Sequence, residues 1–190
     1  DLFILKLLAN HVALALYNTG LYNSMHRLNE TGQVLTRQFA SESTLQTIVD
    51  SIRDTTRANL VILYPYQQSL GRMQPPRFSG TLLNPESQQS MYPTRTGDLA
   101  MLALRYKETI FAQESAELYH HLQGRLPHDN PRFYQRERIV STAVIPLHID
   151  EGNVGVLFVN FRQPQSFDGP QRLLIEGLAH YASIAIKNSQ

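Results

Sequence analysis

From Leu7 onward the leucines of this chain fall on a seven-residue beat, at Leu7, Leu14, Leu21, Leu28 and Leu35. His11, Asn18, Met25 and Gly32 lie between them, and Phe39 continues the series after Leu35. Together they make the roughly 3.5-residue period of a helix that supercoils with a partner. A helix from residue 2 to about residue 40 would run roughly 55–60 Å at about 1.5 Å per residue. Leu7, Leu14, Leu21, Met25, Leu28 and Leu35 are the expected dimer seam. Polar His11 and Asn18 would fix register at some cost in stability, and Gly32 is a place for a bend. The plainer alternative is that this stripe packs on a neighbouring helix of its own chain.

After residue 40 the pattern changes. Ser43 with Gln46 is a capping-box signature, and Leu45, Ile48, Val49 and Ile52 follow at helical spacing, predicting a helix to about Arg57. Leu60 to Tyr64 is a continuous apolar run of the kind buried on both faces of a sheet. Pro65 to Pro76 reads as a loop, Phe78 to Leu83 as a second strand and Asn84 to Pro93 as another loop. Leu99, Leu102 and Tyr106 predict a short helix, with a brief strand at Ile110 and Phe111. Tyr119 to Leu122 predicts a helical turn, and Pro127 to Pro131 a loop. Ser141 to Ile149 and Val154 to Phe161 flank the turn Asp150-Glu151-Gly152-Asn153, a hairpin signal. Asp168-Gly169-Pro170 opens a last helix, whose apolar face carries Leu174, Leu178, Tyr181, Ala182 and Ala185.

This order predicts an α+β fold, one antiparallel sheet with the terminal helices packed on one face and the irregular middle covering the other. A sheet between a helical layer and long loops is a common setting for a small-molecule cavity. Two parts are expected: a linker helix over residues 1–40 and a globular domain over 41–190.

Composition narrows the function. The chain has 190 residues, 42% hydrophobic and 17% charged, with a net charge of +1. That balance suits a globular protein and lacks the basic footprint of a nucleic-acid binder. No apolar run reaches the roughly 18 residues of a membrane span, the best candidate near Leu7 to Leu16 being broken by Asn10 and His11, so no membrane contact is expected from this segment. There are no cysteines, which removes disulfides, thiolate metal sites and cysteine nucleophiles and fits a cytoplasmic location. The chain begins with Asp1 inside a helical pattern, as a piece of a longer protein would.

Ser141, Pro146 and Leu147, then Gly152, Gly155, Leu157 and Phe167, resemble the hairpin signature of the GAF domain, a small-molecule sensor fold of bacterial signalling proteins. Leu173, Leu174, Leu178, Ala179, Ala185, Ile186 and Asn188 are similar to its terminal helix. Thr96, Gly97 and the stretch from Glu108 to Ala112 resemble its weaker central pattern. The resemblance spans about Ser41 to Gln190. It implies a regulatory sensor of a histidine kinase, cyclase or similar protein, with an unknown small ligand and signal relay through dimeric N- and C-terminal helices. Leu8 to Asn18 matches Leu178 to Asn188 at four of eleven positions. In the light of the resemblance, it looks like the tail helix of an upstream domain of the same type.

The resemblance also sorts the chemistry. Methionine sulfoxide reductases of this fold use cysteines, and covalent bilin attachment needs one, so neither is expected here. No Gly-x-Ser-x-Gly elbow is present, and His148 with Asp150 reads as a surface pair, so no catalytic role is expected. Non-covalent haem would need an axial histidine, for which His120 or His121 is positioned in the middle segment. Cyclic-nucleotide binding would use an Asn-Lys, Phe and Asp-Glu pattern. Asn160 and Phe167 fit it, but Phe161, Gln171 and Arg172 depart from it. The candidate ligand-binding residues are Tyr64, Ser79, Leu102, Phe111, Tyr119, His120, Arg132, Phe133 and Tyr134, with an arginine such as Arg132 able to clamp an anion. A ligand-free dimerisation or spacer module is the alternative function.

Overall fold

The computed structural model describes residues 20, 23, 42–94, 96–118, 131–150 and 152–189. The expected seam residues Leu7, Leu14, Leu21, Met25, Leu28 and Leu35 lie outside the described residues, as do Tyr119, His120 and the side chain of Arg132.

Leu45, Ile48, Val49 and Ile52 are all buried along one face of helix α1, Glu42–Thr56. The helix already includes Glu42, so Ser43 lies within its first turn. At the other end Arg57 turns left-handed (φ 58°), and the Ala58 N–H reaches back 3.2 Å to the Arg53 carbonyl. That backward bond closes the helix and aims the chain into the sheet.

Strand β1, Leu60–Gln67, is the sheet's second member. It pairs antiparallel with β6, Gly152–Phe161, and β6 pairs with β5, Ser141–Ile149, which carries the short β4, Ile110–Ala112. The outer flank of β1 is shared by β2, Arg72–Met73, and β3, Arg77–Gly80. Strand β1 runs through Pro65, which the sequence placed in a loop. A strand residue's N–H and C=O point to the same side, and the Pro65 carbonyl accepts from Gln74 N–H on the outer flank. The missing N–H therefore falls in the gap between the β3 pairing, which ends at Leu63, and the β2 pairing, which starts at Tyr66. The β1–β6 ladder loses nothing.

Alternation along these strands splits the core in two. Val61, Leu63, Ala143, Ile145, Leu157, Val159 and Phe161 face α1 and the closing helix α5, Gly169–Ser189, whose Leu174, Ile175, Leu178 and Ala182 are buried against them. The opposite face carries Leu60, Ile62, Tyr64, Val144, Val156 and Phe158. It is covered by α2, Pro85–Ser90, α3, Leu99–Tyr106, and α4, Pro131–Arg136. This is the α+β arrangement the pattern predicts. Two of the covering helices were not legible: α2 starts on Pro85 in its first turn, and neither of these six-residue helices is long enough to show an apolar stripe.

Helix α5 begins as expected. Asp168 accepts the Gln171 N–H on Oδ1 at 2.9 Å, with Pro170 in the first turn. Ser141, at the start of β5, joins three segments. Its hydroxyl donates to the Gln113 carbonyl after β4 and accepts the Gln165 N–H before α5 at 2.9 Å. At Gly155 a side chain would meet the Tyr64 carbonyl at 2.5 Å and Ile186 of α5 at 3.3 Å, so glycine lets β1, β6 and α5 approach.

Candidate functional site

Between the sheet and its short-helix cover lies a cavity of about 110 Å³. Its floor is sheet: Ile62 and Tyr64 of β1, Phe158 and Asn160 of β6. One wall comes from Ser90 and Met91 at the end of α2 and from Thr94 beyond it, another from Asp98, Leu99 and Ala100 at the start of α3. Phe133 and Tyr134 of α4 complete it among the described residues. The rings meet edge to face, Tyr64 with Phe158 at 5.8 Å and Phe133 with Tyr134 at 5.9 Å between centroids.

Two polar features stand out in this apolar setting. Asn160 is 1% exposed, and its Oδ1 accepts the buried Thr142 hydroxyl across the ladder at 2.8 Å. That bond orients the amide, and Nδ2 has no partner although it is buried. An unmet buried donor costs roughly 1–3 kcal/mol, so such a group calls for an explanation. Asp98 occupies the position before α3 where an aspartate usually caps, yet its side chain makes no capping bond. It lines the cavity instead. Burial pushes the Tyr64 phenol far above its ordinary range, and the Asp98 charge adds to the effect, so this hydroxyl stays protonated.

The walls are tied together beside the cavity. Glu137, just past α4, is fully buried and accepts Leu83 N–H at 2.7 Å and Asn84 N–H at 3.2 Å. Arg162, just past β6, donates Nη2 to the same carboxylate at 3.2 Å, Nε to the Glu137 carbonyl at 2.9 Å and Nη2 to the Thr81 carbonyl at 2.7 Å. Asn84 Nδ2 reaches the Arg136 carbonyl, and Arg136 Nη2 reaches Ser90 Oγ at 2.9 Å. Burial alone would raise the Glu137 pKa. The Ser87 side chain, the two backbone N–H groups and Arg162 outweigh it and hold the carboxyl below its ordinary range.

Of the expected ligand residues, Tyr64, Phe133 and Tyr134 come together at the cavity. Ser79 and Phe111 do not join them. Ser79 pairs with Val61 and Phe111 with Ala143, both on the helical face. Phe111 packs there on Phe167 at 5.4 Å, with the Arg172 guanidinium 5.0 Å over its ring. Their strand neighbours Phe78 and Ile110 take the cavity face, packing with its core. Leu102 is buried but is not among the lining residues. Phe167, offered for a nucleotide pattern, is buried in the helical-face core. Asp150 accepts from Lys187 Nζ of α5 at 3.0 Å in an exposed ion pair.

Sequence reasoning missed Asp98, and it offered Asn160 for a nucleotide pattern without reading its amide as inward. The second had a visible sign: Asn160 shares strand parity with Val156 and Phe158, so an inward polar group was readable from alternation alone. Among the described residues no group of three His, Asp or Glu side chains is placed to hold a metal ion, and no helix is long and apolar enough to cross a membrane.

The family profile described as GAF domain matches residues 40–187. No curated protein matches the chain. Among solved structures, the chain is similar to the GAF domain of an Acinetobacter phosphoenolpyruvate-protein phosphotransferase, at 20% identity and TM-score 0.64, over 86% of this chain and 92% of that one. It is also similar to free methionine-R-sulfoxide reductase from Neisseria meningitidis, solved with its substrate, at 16% identity and TM-score 0.62, over 87% and 89%. The GAF domain of a protein described as a sensor histidine kinase, from Pseudomonas syringae pv. tomato, aligns at 15% identity and TM-score 0.59, over 92% of each chain. At these identities the superpositions show a shared fold and nothing finer.

Proposed function

This chain belongs to the GAF domain family, and on that premise we propose that it is the regulatory sensor module of a bacterial signal-transduction protein such as a histidine kinase or cyclase. A small molecule enters the cavity, binds one conformation better than another, and biases the terminal helices accordingly. The observation that carries this reading is the Asn160 Nδ2 donor, buried at the cavity floor without a partner. The route outward is short. Asn160 is two residues from Arg162, whose Glu137 clamp ties the cavity walls to the end of β6. The chain then runs through Phe167 into α5. Helical Gly20 lies against Pro170 at the first turn of α5, with a side chain there meeting Pro170 at 3.6 Å, so a preceding helix has a place to feel that turn.

In the fuller form of this proposal the module is cytoplasmic and dimeric, and Leu8 to Asn18 ends an upstream domain of the same type. The seam at Leu7, Leu14, Leu21, Met25, Leu28 and Leu35 then passes rotation or register change to the partner. No catalytic role is assigned, because cysteine chemistry is closed to a chain that has no cysteine. A cyclic nucleotide is disfavoured by a cavity of about 110 Å³, where drug-sized ligands occupy roughly 300–1,000 Å³.

A ligand-free spacer is the second reading. Its support is the same small volume, walled by the chain's own Tyr64, Phe133, Tyr134 and Phe158 rings. A thermal-shift screen of the chain against pooled small metabolites separates the two. A ligand raises stability by RT ln(1 + [L]/Kd), and Asn160→Leu abolishes the rise. No rise with any pool leaves the spacer. Light scattering of Leu14→Lys/Leu21→Lys, which should be monomeric, tests the seam.

A further inference from the structure

The floor of the cavity distinguishes donors from acceptors. Thr142 and Asn160 face each other across the β5–β6 ladder, and both are buried. The Thr142 hydroxyl has one proton, and it gives that proton to Asn160 Oδ1 at 2.8 Å. With the carbonyl limb of the amide engaged, the NH2 limb is left over. It is buried, has no partner, and belongs to a residue that lines the cavity. Native structures leave few such donors unmet. An amide carries both a donor and an acceptor, so an untethered Asn160 would serve either kind of ligand. The Thr142 hydroxyl removes that choice. Around the amide stand the rings of Tyr64, Phe133, Tyr134 and Phe158, surfaces that favour flat molecules in offset or edge-to-face contact. Burial keeps the Tyr64 phenol protonated and uncharged. An apolar cavity of about 150 Å³ accommodates benzene, so one of about 110 Å³ suits a ring one atom smaller.

We propose that the cavity takes a compact, flat ligand that presents a hydrogen-bond acceptor, a ring nitrogen or a carbonyl oxygen, to Asn160 Nδ2, and that Thr142 is the positioning residue that sets this preference. The proposal rests on the cavity being the sensor's ligand site. What the floor recognises is the acceptor, whatever the ligand's net charge. Small heteroaromatic rings and planar carbonyl compounds belong to the class. Molecules that offer the floor only an N–H or O–H donor do not, because two donors would then face each other.

Three uncharged five-membered rings of nearly one size isolate the hydrogen bond. Oxazole presents a ring-nitrogen acceptor, pyrrole an N–H donor, and furan, whose oxygen accepts very weakly, little of either. Each is titrated into the ¹⁵N-labelled chain while the Asn160 side-chain amide resonances are followed by NMR, which detects millimolar affinity. Oxazole should bind about fivefold or more tighter than furan, the return on meeting one buried donor, with pyrrole the weakest. Thr142→Val frees the amide to turn and should shrink the gap between oxazole and pyrrole to about twofold or less. Thr142→Ser, which keeps the hydroxyl, should retain the gap. A merely structural Thr142 would move all three affinities together. Should Thr142→Val fail to fold, Thr142→Ala makes the same comparison. Equal affinity for the three rings, or pyrrole ranked first, overturns the acceptor class and leaves the cavity as a ligand site. An oxazole preference that survives loss of the hydroxyl overturns the role given to Thr142. Silence with all three rings also overturns the class. The thermal-shift pools then separate the two readings: a rise with any pool keeps the sensor and sinks only this proposal, whereas no rise sinks both.

Discussion

Arg162 and Glu137 meet at 3.2 Å, the carboxylate fully buried and the guanidinium side chain 20% exposed. Twenty-five residues separate them in sequence, and the bond draws the end of β6 onto the end of α4. Two backbone N–H groups of the segment after β3 complete the carboxylate's shell. Truncation should be costly, because it strands two N–H donors and a partly buried cation. Glu137→Ala is expected to lose about 3–5 kcal/mol in urea unfolding. Glu137→Gln, which keeps one acceptor, should lose about 1–3 kcal/mol.

The same carboxylate makes stability depend on pH. Its folded pKa lies below the ordinary value of 4.5. The unfolded chain therefore takes up the proton first as pH falls. The contribution is complete above the unfolded pKa and is lost as pH drops through the folded one. Urea midpoints of wild type and Glu137→Gln should differ most at neutral pH and converge in acid. A gap that held constant down to pH about 2 would contradict the assignment.

Gly80 should resist substitution. It sits at φ 116°, and a Cβ there would lie 2.2 Å from the Asn59 carbonyl and 3.0 Å from Leu60 Cα. Both obstacles are backbone, at the start of the β1–β3 ladder. Gly80→Ala is expected to cost about 3 kcal/mol or more, read as a fall in melting temperature.

The Thr142–Asn160 pair should behave oppositely. Its donor is buried and unmet, so replacing both partners by apolar groups removes that penalty. Thr142→Val/Asn160→Leu is expected to stabilise the ligand-free chain by about 1 kcal/mol while ending ligand-dependent shifts. A destabilised double variant would show that the amide pair supports the fold more than it serves a ligand.

Much of this fold is legible from pattern. The hairpin from Ser141 to Phe161 is bounded by turn residues and filled with β-branched and aromatic side chains, and α5 has both a cap and an apolar face. What escapes is parity. A one-residue offset carries a strand side chain to the opposite face, which is the difference between Phe111 and Ile110, or between Ser79 and Phe78. An aromatic or a serine reads from sequence as a pocket residue in either place. Only pairing with Ala143 and Val61 settles that Phe111 and Ser79 face the helices. The Glu137–Arg162 clamp escaped for another reason. Glu137 stands among arginines in the sequence and reads as a solvated counter-charge, while its partner comes from beyond the next hairpin.

The flanks of the sheet have a consequence for crowding. On one side the outermost ladder is divided between two-residue β2 and four-residue β3, with Pro65 at the break, and on the other it is the three-residue β4. Among the described residues, neither margin offers an incoming chain a long, flat row of free amides and carbonyls. Proteins with open sheets need such guards against edge-to-edge polymerisation. Short, interrupted margins of this kind should leave the domain slow to form fibrils when concentrated, which thioflavin fluorescence of a concentrated sample would check.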